Sequence, residues 1–175
     1  MKRLIYYAAC ALSAGAMAVS CNLTGIDLDG TNWEIVRSED LLNGKVVNSF
    51  LDDAGYVSYI GSREDFIITI DFDDNYAPEN YTPDDIIIVR SSASELVFDM
   101  YYYEYPDVTK NDVEYYTSYK GTKIYRGTYM YYGSEEEYYC YFKPNGVAVD
   151  VGAYNYPGES DIWWDSTRYY CRRAR

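Results

Sequence analysis

The chain has 175 residues, with 15 Lys and Arg against 28 Asp and Glu, a formal net charge of −13 and no histidine. So acidic a chain is repelled by a phosphate backbone, which argues against nucleic acid as a partner. Without imidazole there are no Ser-His or Cys-His nucleophile pairs and no His-bearing metal centres, and no cofactor is implied.

Lys2 and Arg3 precede an uncharged, Ala-rich run, Leu4 to Val19, and small Ser20 follows. That order of charged, apolar and small segments is the order of a secretory signal. The run is shorter than the ~18–20 apolar residues that span a bilayer as a helix, so residues 1–20 are expected to be cleaved. Ala18-Val19-Ser20-Cys21 resembles a bacterial lipoprotein cleavage site. The resemblance implies that Cys21 is acylated through its thiolate and becomes the first mature residue. Residues 21–29 then read as a tether. Each buried acyl methylene contributes ~0.8 kcal/mol, so several chains on one cysteine would hold a domain at a membrane. The absence of Asp at position 22 favours the outer membrane, by likeness to enteric sorting; the domain would face the periplasm or the cell surface. The competing reading is plain secretion after Ala16 or Ala18, with Cys21 left as a thiol.

Gly30 to Arg37 reads as a first strand. Ser38 to Gly44 has a capping Ser and a terminating Gly and predicts one turn of helix. Lys45 to Leu51 is a second strand, and Asp52 to Gly55 a turn. In Phe66 to Phe72, Phe66, Ile68, Ile70 and Phe72 share one face, the alternation of a half-buried strand. A polar loop, Asp73 to Asp85, leads to Ile86–Val89 and then Glu95–Tyr103. After a loop over Pro106 to Asp112, Val113–Tyr119 and Lys123–Tyr132 flank Gly121. Glu135–Phe142 turns at Pro144-Asn145-Gly146 into Val147–Val151, because Asn-Gly accepts the positive φ of tight hairpins. Ile162–Trp164 and Thr167–Arg173 end the chain. Eight to ten short strands with almost no helix predict an all-β domain over residues 30–175. The architecture expected is an antiparallel up-and-down β-barrel, with a β-sandwich as the alternative.

Beyond the leader and Cys21, two cysteines remain, Cys140 and Cys171. In an oxidising envelope they could form a disulfide; otherwise they are buried thiols. Trp163 and Trp164, with Tyr101, Tyr103 and the Tyr131-Tyr132 pair, could form an aromatic platform for a ligand, or could simply pack. Asp27-Leu28-Asp29-Gly30-Thr31 spells the signature of haloacid-dehalogenase phosphatases, but no apolar strand precedes it and the β-α alternation is missing. Asp71-Phe72-Asp73-Asp74-Asn75 starts like a calcium loop, yet Tyr76 and Thr82 stand where the EF-hand needs Gly and Glu. Glu135, Glu136 and Glu137 offer one member of a glycosidase carboxylate pair with no partner fixed. A charged strand edge that discourages aggregation explains them better.

The order of elements resembles the lipocalin-like domains of envelope lipoproteins from Bacteroidetes-type bacteria. Gly30-Thr31-Asn32-Trp33 is similar to the Gly-x-Trp of lipocalins, and Ile88 to Phe98 to a strand-turn-strand of that family. Arg168, Arg172 and Arg173 lie on the last strand, where lipocalins stack an Arg on the early Trp. The resemblance implies a structural contact between Trp33 and Arg172. It also implies a non-catalytic binding domain, for an apolar ligand in the barrel mouth or a protein or glycan on the tyrosine-rich face. The alternatives are a carboxylate-based glycan hydrolase and an inhibitor or assembly subunit.

Overall fold

The computed structural model describes residues 27–51, 55–62, 65–72, 77–100, 103–154 and 161–175. Cys21, the leader, Asp73, Asp74 and Tyr101 lie outside the described residues. In chain order the strands are β1 (Thr31–Leu42), β2 (Lys45–Leu51), β3 (Tyr56–Ser62), β4 (Asp65–Asp71), β5 (Glu79–Tyr81), β6 (Ile86–Ser91), β7 (Glu95–Met100) and β8 (Glu104–Tyr105). They continue as β9 (Glu114–Tyr119), β10 (Thr122–Tyr131), β11 (Ser134–Phe142), β12 (Ala148–Asp150), β13 (Gly152–Tyr154), β14 (Ile162–Trp164) and β15 (Ser166–Arg173). The all-β, antiparallel expectation holds, with more and shorter strands than the sequence suggests.

The first sheet runs β5-β4-β3-β1-β15-β7-β6 and curls into a half-barrel. β1 is its axis. It pairs with β15 along one edge, and with β3 and β2 in succession along the other. A register shift against β15 falls between Ile35 and Arg37. The extra residue moves the inward positions from odd to even numbers, while Ser38, opposite Tyr169, stays on the face that Ile35 shares with Cys171. Before the shift Trp33 and Ile35 are buried; after it Ser38, Asp40 and Leu42 are. Trp33 and Ile35 belong to one core and Leu42 to another, so one strand supplies two cores.

Trp33, Tyr59, Ile68, Leu96 and Phe98 fill the concavity of the first sheet with no exposed surface. Phe66, Ile68 and Ile70 are buried as the alternation predicts, with Phe72 packed at the rim. Leu28 also sits in this core, so the folded body includes part of the segment read as a tether. The helical turn expected over Ser38 to Gly44 is instead strand and hairpin. Leu42 pairs with Lys45, and Asn43 (φ 50) and Gly44 (φ 72) form the two-residue turn. Asn-Gly stops a helix and closes a hairpin equally well; strand pairing on both edges of β1 decides for the hairpin.

The second sheet runs β8-β12-β11-β10-β9. Its inner face packs Ile124, Tyr141 and Val149 against Leu42, Val47 and Trp163, forming the second core. The β13-β14 hairpin contributes Ile162 and Trp163 to it. Asp165 joins the first sheet to the second: its N–H donates to Leu41 O at 2.8 Å, and its carboxylate accepts the Asn43 N–H at 2.6 Å and the Tyr141 hydroxyl of β11.

Candidate binding surface on the second sheet

Directly opposed residues of an antiparallel pair share a face. Tyr125, Gly127 and Tyr129 oppose Cys140, Tyr138 and Glu136, so all six lie on the face turned away from the second core. At Gly127 an added Cβ would come within 2.2 Å of Tyr138 Cζ. The Tyr138 ring therefore lies across the glycine, and no other residue fits beneath it. Its edge meets Tyr105 at 5.1 Å and Tyr129 at 6.3 Å between centroids. Tyr125 touches Tyr115 at 6.2 Å and Phe142 at 5.3 Å. Edge-on ring pairs of this kind contribute ~0.5–1.5 kcal/mol each beyond burial.

This ladder runs out to an exposed tip. Tyr131 pairs with Ser134, leaving Tyr132 (φ 47) and Gly133 (φ 86) as the turn. Two successive positive φ values favour Asn-Gly, because a Cβ in the left-handed region costs ~1–2 kcal/mol. Here the first position is Tyr, and its side chain is 93% exposed. Tyr131 lies 4.6 Å from it, and Met130 beside them is 69% exposed. On the inner-facing side of the same strands, Arg126 is paired with Glu114 and Glu137 and lies 5.6 Å over the Tyr116 ring. Arg126, Glu114 and Glu137 line a recess of about 380 Å³.

At the opposite end of β10 lies a groove of about 330 Å³ lined by Lys110, Lys123, Tyr125, Phe142, Asn43 and Tyr141, among others. β10 has ten residues, so groove and tyrosine tip are about 30 Å apart.

The buried acids serve the scaffold. Burial pushes the Asp165 carboxyl above its usual range, against the pull of Asn43, Ser166 and Tyr141 donating to it. Asp150 is raised for the same reason while accepting the Tyr105 hydroxyl at 2.8 Å. Asp40 accepts from Thr167 at 3.1 Å and from Tyr154. None of the three lines the recess or the groove. Glu137 is spent on Arg126 and the Tyr139 hydroxyl.

The residues singled out from sequence separate in space. Trp163 is buried, with Tyr139 at 5.1 Å and Tyr116 at 5.8 Å, and offers no surface to a ligand. Trp164 packs across Gly152, whose added Cβ would meet the indole at 3.1 Å, and is half-buried. Tyr103 is 76% exposed. Cys140 and Cys171 are not joined: both are free, buried thiols. Cys171 belongs to the core of the first sheet, whereas Cys140 lies on β11 of the second, opposite Tyr125 and Asp150. The arginine over Trp33 is Arg173, at 5.6 Å, rather than Arg172. Register explains the shift, since Trp33 opposes Arg173 while Arg172 opposes Glu34 and pairs with it at 2.7 Å. Sequence reasoning missed Tyr129, Gly127 and the lysine groove. A glycine among tyrosines was the available signal for the first two. No family model matches this chain, and neither does any curated protein or solved structure.

Proposed function

We propose that this chain is a lipid-anchored, lipocalin-like cell-envelope domain that binds a protein partner through the β10-β11 hairpin and carries out no catalysis. The observation that carries the reading is Tyr132, held in a left-handed turn and 93% exposed among Tyr129, Met130 and Tyr131. Backbone strain at an exposed aromatic residue is a cost to the fold that a contact elsewhere offsets. Tyr and Met are enriched at protein interfaces, where a rigid ring buries much area with little loss of rotamer freedom. A ligand in the barrel mouth finds less support, because Trp33, Tyr59 and Phe98 already fill the concavity. The sequence Ala18-Val19-Ser20-Cys21 supports the anchor, which would place the hairpin in the envelope.

A photo-crosslinking residue at position 132, introduced in cells, tests the partner. A discrete protein adduct is expected there, and none from the same probe at Ile60, which is exposed on the first sheet. Adducts of equal yield from both positions, or from neither, would refute the assignment. Mass spectrometry of the mature N-terminus tests the anchor, with acyl mass expected on Cys21.

A further inference from the structure

Cations in this protein are sorted by type. Most arginines of the two sheets are spent on carboxylates: Arg37 on Glu39, Arg90 on Glu95, Arg126 on Glu114 and Glu137, Arg168 on Asp99 and Arg172 on Glu34, while Arg173 lies over Trp33. The lysines are placed differently. Lys45, Lys110, Lys120, Lys123 and Lys143 are the lysines among the described residues, and they converge on one end of the second sheet. Lys45 Nζ donates to Lys120 O at 3.4 Å, and Lys120 Nζ donates to Val47 O at 2.9 Å. Lys110 Nζ lies 5.7 Å over the Phe142 ring. Lys123 is the second residue of β10, two before Tyr125. Lys143 alone has a carboxylate, Glu104 at 2.6 Å. The other four have no carboxylate partner among the described residues, in a chain whose net charge is −13. The nearest buried acid, Asp165, stands behind Asn43 and Tyr141 and is occupied by their donors.

Of these, Lys110 and Lys123 line the groove whose walls include Tyr125 and Phe142. Cationic tips above aromatic walls suit a ligand with an apolar ring face and an anionic substituent. A volume of about 330 Å³ fits one or two rings, at the small end of ligand sites. A protein partner would need about 800 Å² of surface, which the groove does not provide. We infer that this groove binds an acidic sugar of a polysaccharide, its ring against Tyr125 and Phe142 and its acid group between Lys110 and Lys123. The acid group is a carboxylate, sulfate or phosphate. A headgroup in the protein's own membrane is the other source of such chemistry. The groove lies at the Leu42 end of β1, whereas the described chain begins at Asp27 beside the other end. Twelve strand residues separate the two by about 36 Å. On the proposed anchor, the groove therefore points away from that membrane.

The test uses the full chain in detergent and isothermal titration with oligogalacturonate or sulfated dextran, against neutral dextran of equal length. Binding of an acidic oligomer and not of neutral dextran is expected. K110Q/K123Q should weaken it at least tenfold and Tyr125→Leu at least threefold, while R126Q, on the recess side, leaves it unchanged. Equal binding of neutral dextran, no binding of either acidic oligomer, or unaltered affinity in K110Q/K123Q would overturn the proposal. Tighter binding to phosphatidylglycerol vesicles than to the oligomers would overturn the polysaccharide assignment in favour of a headgroup. Variants of the tyrosine tip, such as Tyr132→Asn, should not change oligomer binding, so this site and the protein interface fail independently.

Discussion

Tyr132 and Asp165 carry opposite kinds of tension. At Tyr132 the cost is in the backbone, because a β-carbon occupies a left-handed turn position that Asn tolerates better. Tyr132→Asn is expected to stabilise the fold by about 0.5–1 kcal/mol, read as a higher denaturant midpoint, while removing the adduct that a photo-crosslinking residue at position 131 gives in the otherwise unchanged chain. A loss of stability would show that the ring is held by the fold itself. At Asp165 the cost is electrostatic. Burial raises its folded pKa above the unfolded value, so the native state holds the proton more tightly. Its contribution to stability therefore grows as pH falls from that raised value towards the ordinary carboxylate pKa of ~3.9. Asp165→Asn lacks this gain. The stability of the native protein relative to Asp165→Asn should therefore be highest near about pH 4 and fall as pH rises; a relative stability that rises with pH would contradict the assignment. Asp165→Ala leaves the Asn43 N–H without its acceptor and should cost about 1–3 kcal/mol.

Strands were legible where one face is apolar and the other polar. Phe66, Ile68 and Ile70 announce β4, and Pro144-Asn145-Gly146 announces the β11-β12 turn, where Gly146 N–H donates to Lys143 O at 2.9 Å. β1 was legible only in its first half. The shift near Val36 breaks the two-residue period, and the polar run Ser38-Glu39-Asp40 then imitates a helix start although Ser38 and Asp40 are buried in a strand. Deleting Val36 should remove the extra residue and leave the pairs of β1 with β15 as they are, from Trp33–Arg173 to Leu41–Ser166, so Leu42 keeps its place in the second core. The expected result is a folded protein whose midpoint of thermal unfolding shifts little; loss of the cooperative transition would mean that Val36 is needed to hold β1 in register. Arg173 illustrates the same sensitivity, since a register read one residue off names Arg172, which faces Glu34 instead.

The whole molecule arranges two cores along one strand and leaves distinct surfaces at the two ends of the second sheet. That arrangement was not legible, because its components are far apart in the chain. Lys110 and Lys123 meet across one groove only once the hairpins fold together, and Cys140 and Cys171 part into different sheets. Burial pushes the Cys171 thiol up to about 12 and, with Asp150 nearby, the Cys140 thiol up to about 11. Neither is a ready thiolate at neutral pH. In the folded protein both should react with a disulfide reagent at least a hundredfold more slowly than after denaturation. Fast labelling of Cys140 in the native state would contradict its burial.

Recognition through the tyrosine tip is tested most directly by footprinting tyrosine nitration in intact envelopes and in the purified chain. Tyr129, Tyr131 and Tyr132 should be protected in the envelope and reactive once purified, while Tyr56, exposed on the first sheet, reacts alike in both. Equal reactivity of Tyr132 in the two preparations would mean that nothing covers the hairpin where the protein works.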